Sequence, residues 1–223
     1  MTRAIFLSIV AAAVLCACVA AEARRPRGLR PTANPSAVVA TELAFAREAQ
    51  GKGQWTAFAE YAADDAVMFV PQLVQAKDWL KKRANPAQAV TWQPYSIWMS
   101  CDGSLAVSKG AWQRPDGTSG YFTTVWRRQN NGKYKWTLDQ GDSLAQPLSA
   151  PEMISGEVAD CSKASPPTIP VPAAGVVQRV GWSDDKTLQW IAEVQPNGSR
   201  WFKVHRWTGS GYEEVVRSEV AAQ

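Results

Sequence analysis

An Asn131-Gly132 step set between two runs of β-branched and aromatic residues constrains this chain more than any other feature. The segments on either side, 120–129 and 133–141, read GYFTTVWRRQ and KYKWTLDQG. Asn and Gly tolerate positive φ, which a tight turn matching the strand twist requires. The pair therefore predicts an antiparallel hairpin. Two more strand-like segments, 91–101 and 104–113, meet at Asp102-Gly103, and a longer turn over 114–119 leads into the hairpin. Four antiparallel strands in succession follow from this pattern.

Helical periodicity precedes them. Ser36 is placed to cap a helix on which Val39, Leu43, Ala46 and Gln50 share one stripe. Gly51 and Gly53 interrupt that helix. A second starts near Gln54, with Trp55, Phe58, Ala59 and Ala62 at i, i+3, i+4 and i+7. Asp64-Asp65 reads as a turn, and 66–70 as a short apolar strand stopped by Pro71. Residues 77–83 predict a short cationic helix with Trp79 and Leu80 inward. Helices first and a strand meander later give an α+β domain, with the helices packed on one face of a curved antiparallel sheet.

The ends of the chain read differently. Residues 1–23 carry an early Arg3, an apolar stretch and a small-residue exit at Ala21-Glu22-Ala23, the layout of a removable export signal. A membrane helix over 4–21 is the competing reading. Leu15-Cys16-Ala17-Cys18 is similar to a bacterial lipobox and leaves a lipid anchor at Cys18 open. Residues 24–36, rich in Pro and Arg, form a linker. The net charge of +4 is concentrated there: from Pro31 onward basic and acidic residues are equal in number. A neutral body argues against a nucleic-acid partner. The domain proper spans 37–145, an irregular connector 146–174, and a second set of strands 175–223. In that tail Leu188, Trp190, Ala192 and Val194 alternate with polar residues, so one face is buried. Whether that face covers the first sheet or closes a separate lobe stays open. Cys101 and Cys161 are the two cysteines beyond the signal. In an exported chain, periplasmic or secreted, they are expected to form a disulfide.

Chemistry-bearing residues are few. The single His205 and the lack of any CxxC speak against metal chemistry and histidine catalysis. No P-loop or GxGxxG is present, so no cofactor is expected. Asp139 is the surviving acid–base candidate. By strict alternation Thr137 and Asp139 share one face of their strand, and Trp136 and Leu138 the other. If Asp139 faces a cavity, burial raises its pKa. If it faces outward, it is a surface charge paired with Arg127 or Arg128. Asp142 is read as the start of a turn. Eleven tryptophans are several times the usual share. Most are expected in cores, with Trp55, Trp112 and Trp126 among the candidates for a ligand pocket. Phe58, Tyr61, Met68, Tyr121 and Thr124 complete that candidate set.

The order of elements, with FAEYAADDAVMFVP over 58–71, the short helix over 77–83 and the hairpin over 120–142, resembles the NTF2-like superfamily (SnoaL-like, DUF4440-type cone folds). The resemblance covers 38–142; the tail from Gly175 matches no family. It implies an NTF2-like cone, a sheet wrapped round helices to enclose a mostly apolar cavity, on which some members catalyse and others bind or assemble. In the ketosteroid-isomerase branch, the positions of the general base, the oxyanion-hole tyrosine and the protonated acid fall here on Val70, Phe45 and Thr124. None of these side chains can play the matching part, so that isomerisation is not expected. The leading expectation is a cavity that binds a small hydrophobic or aromatic molecule. A SnoaL-like acid–base enzyme using Asp139, with Tyr121 or Thr124 orienting the substrate, is the alternative. An envelope module that forms a homodimer through its sheet is the third.

Overall fold

The structure is a computed structural model and describes residues 32–169 and 171–222. The export signal, the lipobox-like cysteine and most of the linker lie outside the described residues. Among the described residues no helix is long and apolar enough to cross a membrane.

Helix α1 (Pro35–Lys52) and helix α2 (Gln54–Tyr61) are separated by Gly53, which adopts φ 100°. Asn34, not Ser36, occupies the N-cap of α1, and Pro35 starts it. Proline suits that place because its missing N–H would have no helical partner. The buried stripe of α1 is Val38, Glu42, Phe45 and Ala49, one residue round from the apolar stripe expected. Asn85 caps α2 from the loop below, its Oδ1 accepting from the backbone N–H of Trp55 (2.7 Å) and Thr56 (3.2 Å).

Strands β1 (Ala62–Phe69) and β2 (Leu73–Gln75), helix α3 (Ala76–Leu80), and strands β3 (Thr91–Met99), β4 (Leu105–Gln113), β5 (Ser119–Arg128) and β6 (Tyr134–Leu144) follow. Asp64 and Asp65 lie inside β1, not in a turn, and pair with Lys77 and Arg127. Strand β7 (Ser155–Val158) rises from the segment read as irregular. The sheet order is β2-β1-β6-β5-β4-β3-β7. It is mixed, not purely antiparallel, because β1 runs parallel to β6 and β7 parallel to β3.

Two bulges bend it. Between Val125↔Leu138 and Trp126↔Trp136, Thr137 is left over on β6; between Pro94↔Gly110 and Ser96↔Lys109, Tyr95 is left over on β3. An extra residue on one strand increases local twist and curvature. Glycine permits the close approach at these bends: a Cβ on Gly110 would sit 2.0 Å from the carbonyl oxygen of Gln93, and one on Gly120 would strike the Trp112 ring.

Strands β8 (Val177–Trp182), β9 (Leu188–Val194), β10 (Arg200–Trp207) and β11 (Tyr212–Val220) form a second, antiparallel sheet. It covers the first sheet. Val67, Leu105, Val107, Val125 and Leu138 on the outer face of the first sheet form one core with Leu188, Trp190, Ala192, Phe202, Val204 and Val216. The inner face packs separately on the helices, through Phe45, Ile97, Trp126 and Trp136. The question left open by sequence is thus settled by burial. Full burial of one such aliphatic side chain contributes about 1.5–3 kcal/mol, and the outer face alone would expose a whole row of them.

The β3–β4 turn and the β8–β9 turn also clasp each other. Cys101 N–H donates to Thr187 Oγ1 (2.9 Å), Asp102 N–H to Asp185 Oδ2 (2.8 Å), and Asp184 N–H to Ser104 Oγ (2.9 Å). Beside this clasp Cys101 is bonded to Cys161, with Cα atoms 5.2 Å apart. Replacing both cysteines by serine is expected to lower the unfolding free energy by roughly 4 kcal/mol, from the loop-closure entropy of a 60-residue crosslink. Urea unfolding of the oxidised protein and the double variant measures it.

Candidate functional site

The helices do not fill the concave face of the sheet. A cavity of about 520 Å³ remains between α1, α2, α3 and the strands, within the size range of small-molecule sites. Its apolar wall comes from Phe45, Trp55, Phe58, Met68, Trp92 and Phe122, among others. Phe45 and Phe58 meet edge to face at 4.8 Å, as do Phe45 and Trp92.

One transverse row of the inner face is polar beyond its first member, Met68. Met68, Asp139, Thr124 and Ser108 are successive register partners across β1, β6, β5 and β4. Thr124 Oγ1 donates to Asp139 Oδ2 at 2.7 Å. Asp139 is enclosed by protein except where it meets the cavity, which leaves it partly accessible. Burial pushes its carboxyl up to about 7 from an ordinary 3.8, against the Thr124 hydrogen bond and with help from the charge of Glu42. A carboxyl at that value is shared between acid and base forms at neutral pH, the condition for proton transfer in either direction.

The row ends at Glu42 of α1, which is fully buried. Ser108 Oγ, Trp126 Nε1 (3.0 Å) and Trp92 Nε1 (3.2 Å) donate to its carboxyl. Burial raises its pKa, and the three donors oppose the shift. Its oxygens are occupied by these donors and it does not line the cavity, so it acts as a positioning group for the wall.

The candidate residues part company here. Trp55, Phe58, Met68, Trp112, Thr124 and Asp139 line the cavity, together with Phe45 and Val70. Tyr61, Tyr121 and Trp126 do not. Tyr61 stacks on the far side of Phe45 (4.9 Å). Trp126 is completely buried beneath the wall. Tyr121 alternates with Phe122 and Thr124 and so faces the second sheet, where Ser218 and Arg200 act on its hydroxyl. Asp142 lies within β6 at the cavity rim and does not begin a turn. The alternation expected for β6 also fails: Trp136 belongs to the inner core and Leu138 to the outer one. The bulge at Thr137 shifts the phase and turns Asp139 inward. Its alternative partners Arg127 and Arg128 are not bonded to it; Arg127 pairs with Asp65. His205 sits on the outer face of the second sheet near Glu214 (3.9 Å). Among the described residues no group of three or more His, Cys, Asp or Glu is placed to hold a metal.

Sequence reasoning missed Glu42, Trp92 and Arg200. The glutamate was hidden by its own charge, which moved the apolar stripe of α1 one residue round. Arg200 belongs to the second sheet and reaches the cavity only through tertiary packing.

No protein-family model matches the chain, and no curated protein matches it. Solved structures do. A protein from Parabacteroides distasonis named as a candidate ketosteroid isomerase is 15% identical, with 52% of this chain and 97% of the other covered and a TM-score of 0.41. A candidate aromatic ring hydroxylase from Novosphingobium aromaticivorans is 17% identical, covering 51% and 91%, TM-score 0.39. ActVI-ORFA from Streptomyces coelicolor is 14% identical, covering 48% and 95%, TM-score 0.37. The helix-bearing half has helices packed on a bent sheet around a hollow, the cone arrangement that the sequence resemblance implies, and such an architecture carries no reaction with it.

Two outcomes follow from the buried carboxyls. The folded-state pKa of Asp139 lies above its unfolded value. Its contribution to stability is therefore full below about pH 3.8 and is lost as pH rises through about 7. The loss is up to about 4 kcal/mol at full ionisation. Asp139→Asn should consequently be more stable than the wild type at pH 8 and not at pH 4, read from urea midpoints. Glu42→Ala removes the acceptor shared by Ser108, Trp126 and Trp92, leaving Trp126 Nε1 only Ser108 Oγ (3.0 Å) and Trp92 Nε1 none, and is expected to destabilise by about 3 kcal/mol, whereas Glu42→Gln, which keeps an acceptor oxygen, loses markedly less in the same assay.

Proposed function

We propose that this protein is an exported acid–base enzyme of the cone type. Asp139 transfers a proton to or from a small hydrophobic or aromatic substrate held in the cavity. One observation carries the reading: a carboxyl hydrogen-bonded by Thr124 (2.7 Å) opens into an aromatic-lined hollow of about 520 Å³. A simple binding protein needs the hollow but has no use for an acid buried in its wall, where desolvation opposes the charge. A module pairing through its sheet needs an exposed apolar sheet face, and that face is covered here.

Thr124 orients the Asp139 carboxyl and leaves its second oxygen for the substrate. Gln54 is the wall residue suited to polarise a substrate oxygen. Its Oε1 accepts from Val90 N–H (3.0 Å), and its amide NH2 makes no hydrogen bond among the described residues of the cavity wall it belongs to. Val70 and Phe45 on the same wall offer no proton and no hydrogen bond. Asp139 therefore works from a different strand than the isomerase-type base would. Export is supported by the layout of residues 1–23 and by the Cys101–Cys161 bond, which suits an oxidising compartment.

The test is solvent-deuterium exchange at the acidic carbon of aromatic ketones small enough for the cavity, followed by NMR. Wild-type protein should accelerate exchange, with a rate that rises as pH passes about 7 when Asp139 acts as base. Asp139→Asn should lose about 100-fold or more. Exchange no faster than buffer, or unchanged in that variant, removes the proposal.

A further inference from the structure

We infer that the cavity selects a flat apolar molecule bearing a carboxylate, and that Arg200 of the second sheet holds that anion. This deepens the acid–base reading and rests on the same cavity. The pairing of β1 with β6 stops at Met68↔Asp139, while β6 runs on to Leu144. The chain turns away at Val70-Pro71, and the cavity reaches into the gap, lined there by Gln140, Gly141, Asp142 and Arg200.

Arg200 is the first residue of β10 and is only 7% exposed. Its guanidinium carbon lies over Phe69, 5.0 Å from the ring centroid. One amino group donates to the carbonyl of Gly141 at 2.9 Å. Its Nε–H is buried without a partner, and Arg200 forms no ion pair among the described residues. Asp142 acts on it only at longer range, and one Asp142 oxygen already accepts from Ser143 N–H (2.9 Å). A buried guanidinium with an unused donor is costly to fold around. The Nε–H itself has no open surface, so an anion arriving through the cavity would meet the guanidinium amino groups, whose charge no carboxylate pairs with among the described residues. The planar fork of a guanidinium matches two carboxylate oxygens. Arg114, stacked on Trp112 at 4.8 Å, adds a second positive charge at the rim. The anion would sit at this open end and the apolar body would lie along Phe45, Phe58 and Trp92. That places the body of the molecule against Asp139.

The experiment titrates full-length mature protein with 2-naphthoate and with its neutral isostere 2-naphthamide, followed by calorimetry. Wild type should bind the carboxylate about tenfold more tightly or better. Arg200→Gln should bring the two affinities together, and Arg200→Lys should keep part of the difference. Equal affinities in the wild type, no naphthoate binding, or a preference that survives Arg200→Gln overturns the inference. Should Arg200→Gln fail to fold, the Arg200 Nε–Hε resonance of the wild type decides. A shift with naphthoate and not with the amide supports the site, and no shift overturns it. The two proposals fail separately. A naphthoate preference without any ketone exchange sinks the acid–base reading and leaves the anion site standing; exchange without the preference does the reverse.

Discussion

The extra residue at Thr137 governs more of this molecule than its size implies. In an unbroken strand Trp136 and Leu138 would share a face and Asp139 would point away from it. With Thr137 left unpaired against β5, the phase slips by one. Trp136 then packs on the helices, Leu138 packs on the second sheet, and Asp139 enters the cavity. The same bulge tightens the bend that keeps the concave side open. Curvature and the placement of the Asp139 carboxyl have a common origin.

Both faces of that sheet must be covered, and this explains the chain's architecture. The inner face meets helices that touch it only along part of its length, which leaves the hollow. The outer face is uniformly apolar at Val67, Val107, Val125 and Leu138. A face of that kind in water would promote association. The second sheet removes it from solvent, and the disulfide and the clasp between the Cys101–Ser104 and Ser183–Thr187 turns fix its position. The C-terminal strands are therefore part of the folded unit. They also contribute to the cavity, since Arg200 reaches the gap between β1 and β6.

The inner face joins two kinds of buried polar group. Glu42 is saturated by Ser108, Trp126 and Trp92 and is isolated from the cavity. Asp139 has one protein donor and an open side. Both are desolvated, and the charge of Glu42 raises Asp139 further. Full satisfaction makes the first a strut; incomplete satisfaction leaves the second able to exchange a proton. The contrast follows from hydrogen-bond count, because the chemical group is the same.

Sequence alone determined what depends on near neighbours along the chain. The Asn131-Gly132 hairpin, the strands of both sheets other than β2 and β7, the helix break at Gly53 and the Cys101–Cys161 pair follow from turn chemistry, two-residue alternation and redox context. The order of these elements, with the residues over 58–71, 77–83 and 120–142, carried the family resemblance that implies the cone. Tertiary structure decided what depends on phase and on distant segments. A single-residue bulge carries no composition of its own, so the inward turn of Asp139 was not legible. Glu42 was masked because a charge inside a buried stripe looks like its solvent edge until Trp92, Ser108 and Trp126 supply donors from three strands. Tyr121 lies outside the cavity and Arg200 lines it for the same reason. Which side of a sheet is cavity and which is interface is set by what packs on it, and here that covering comes from strands far along the chain.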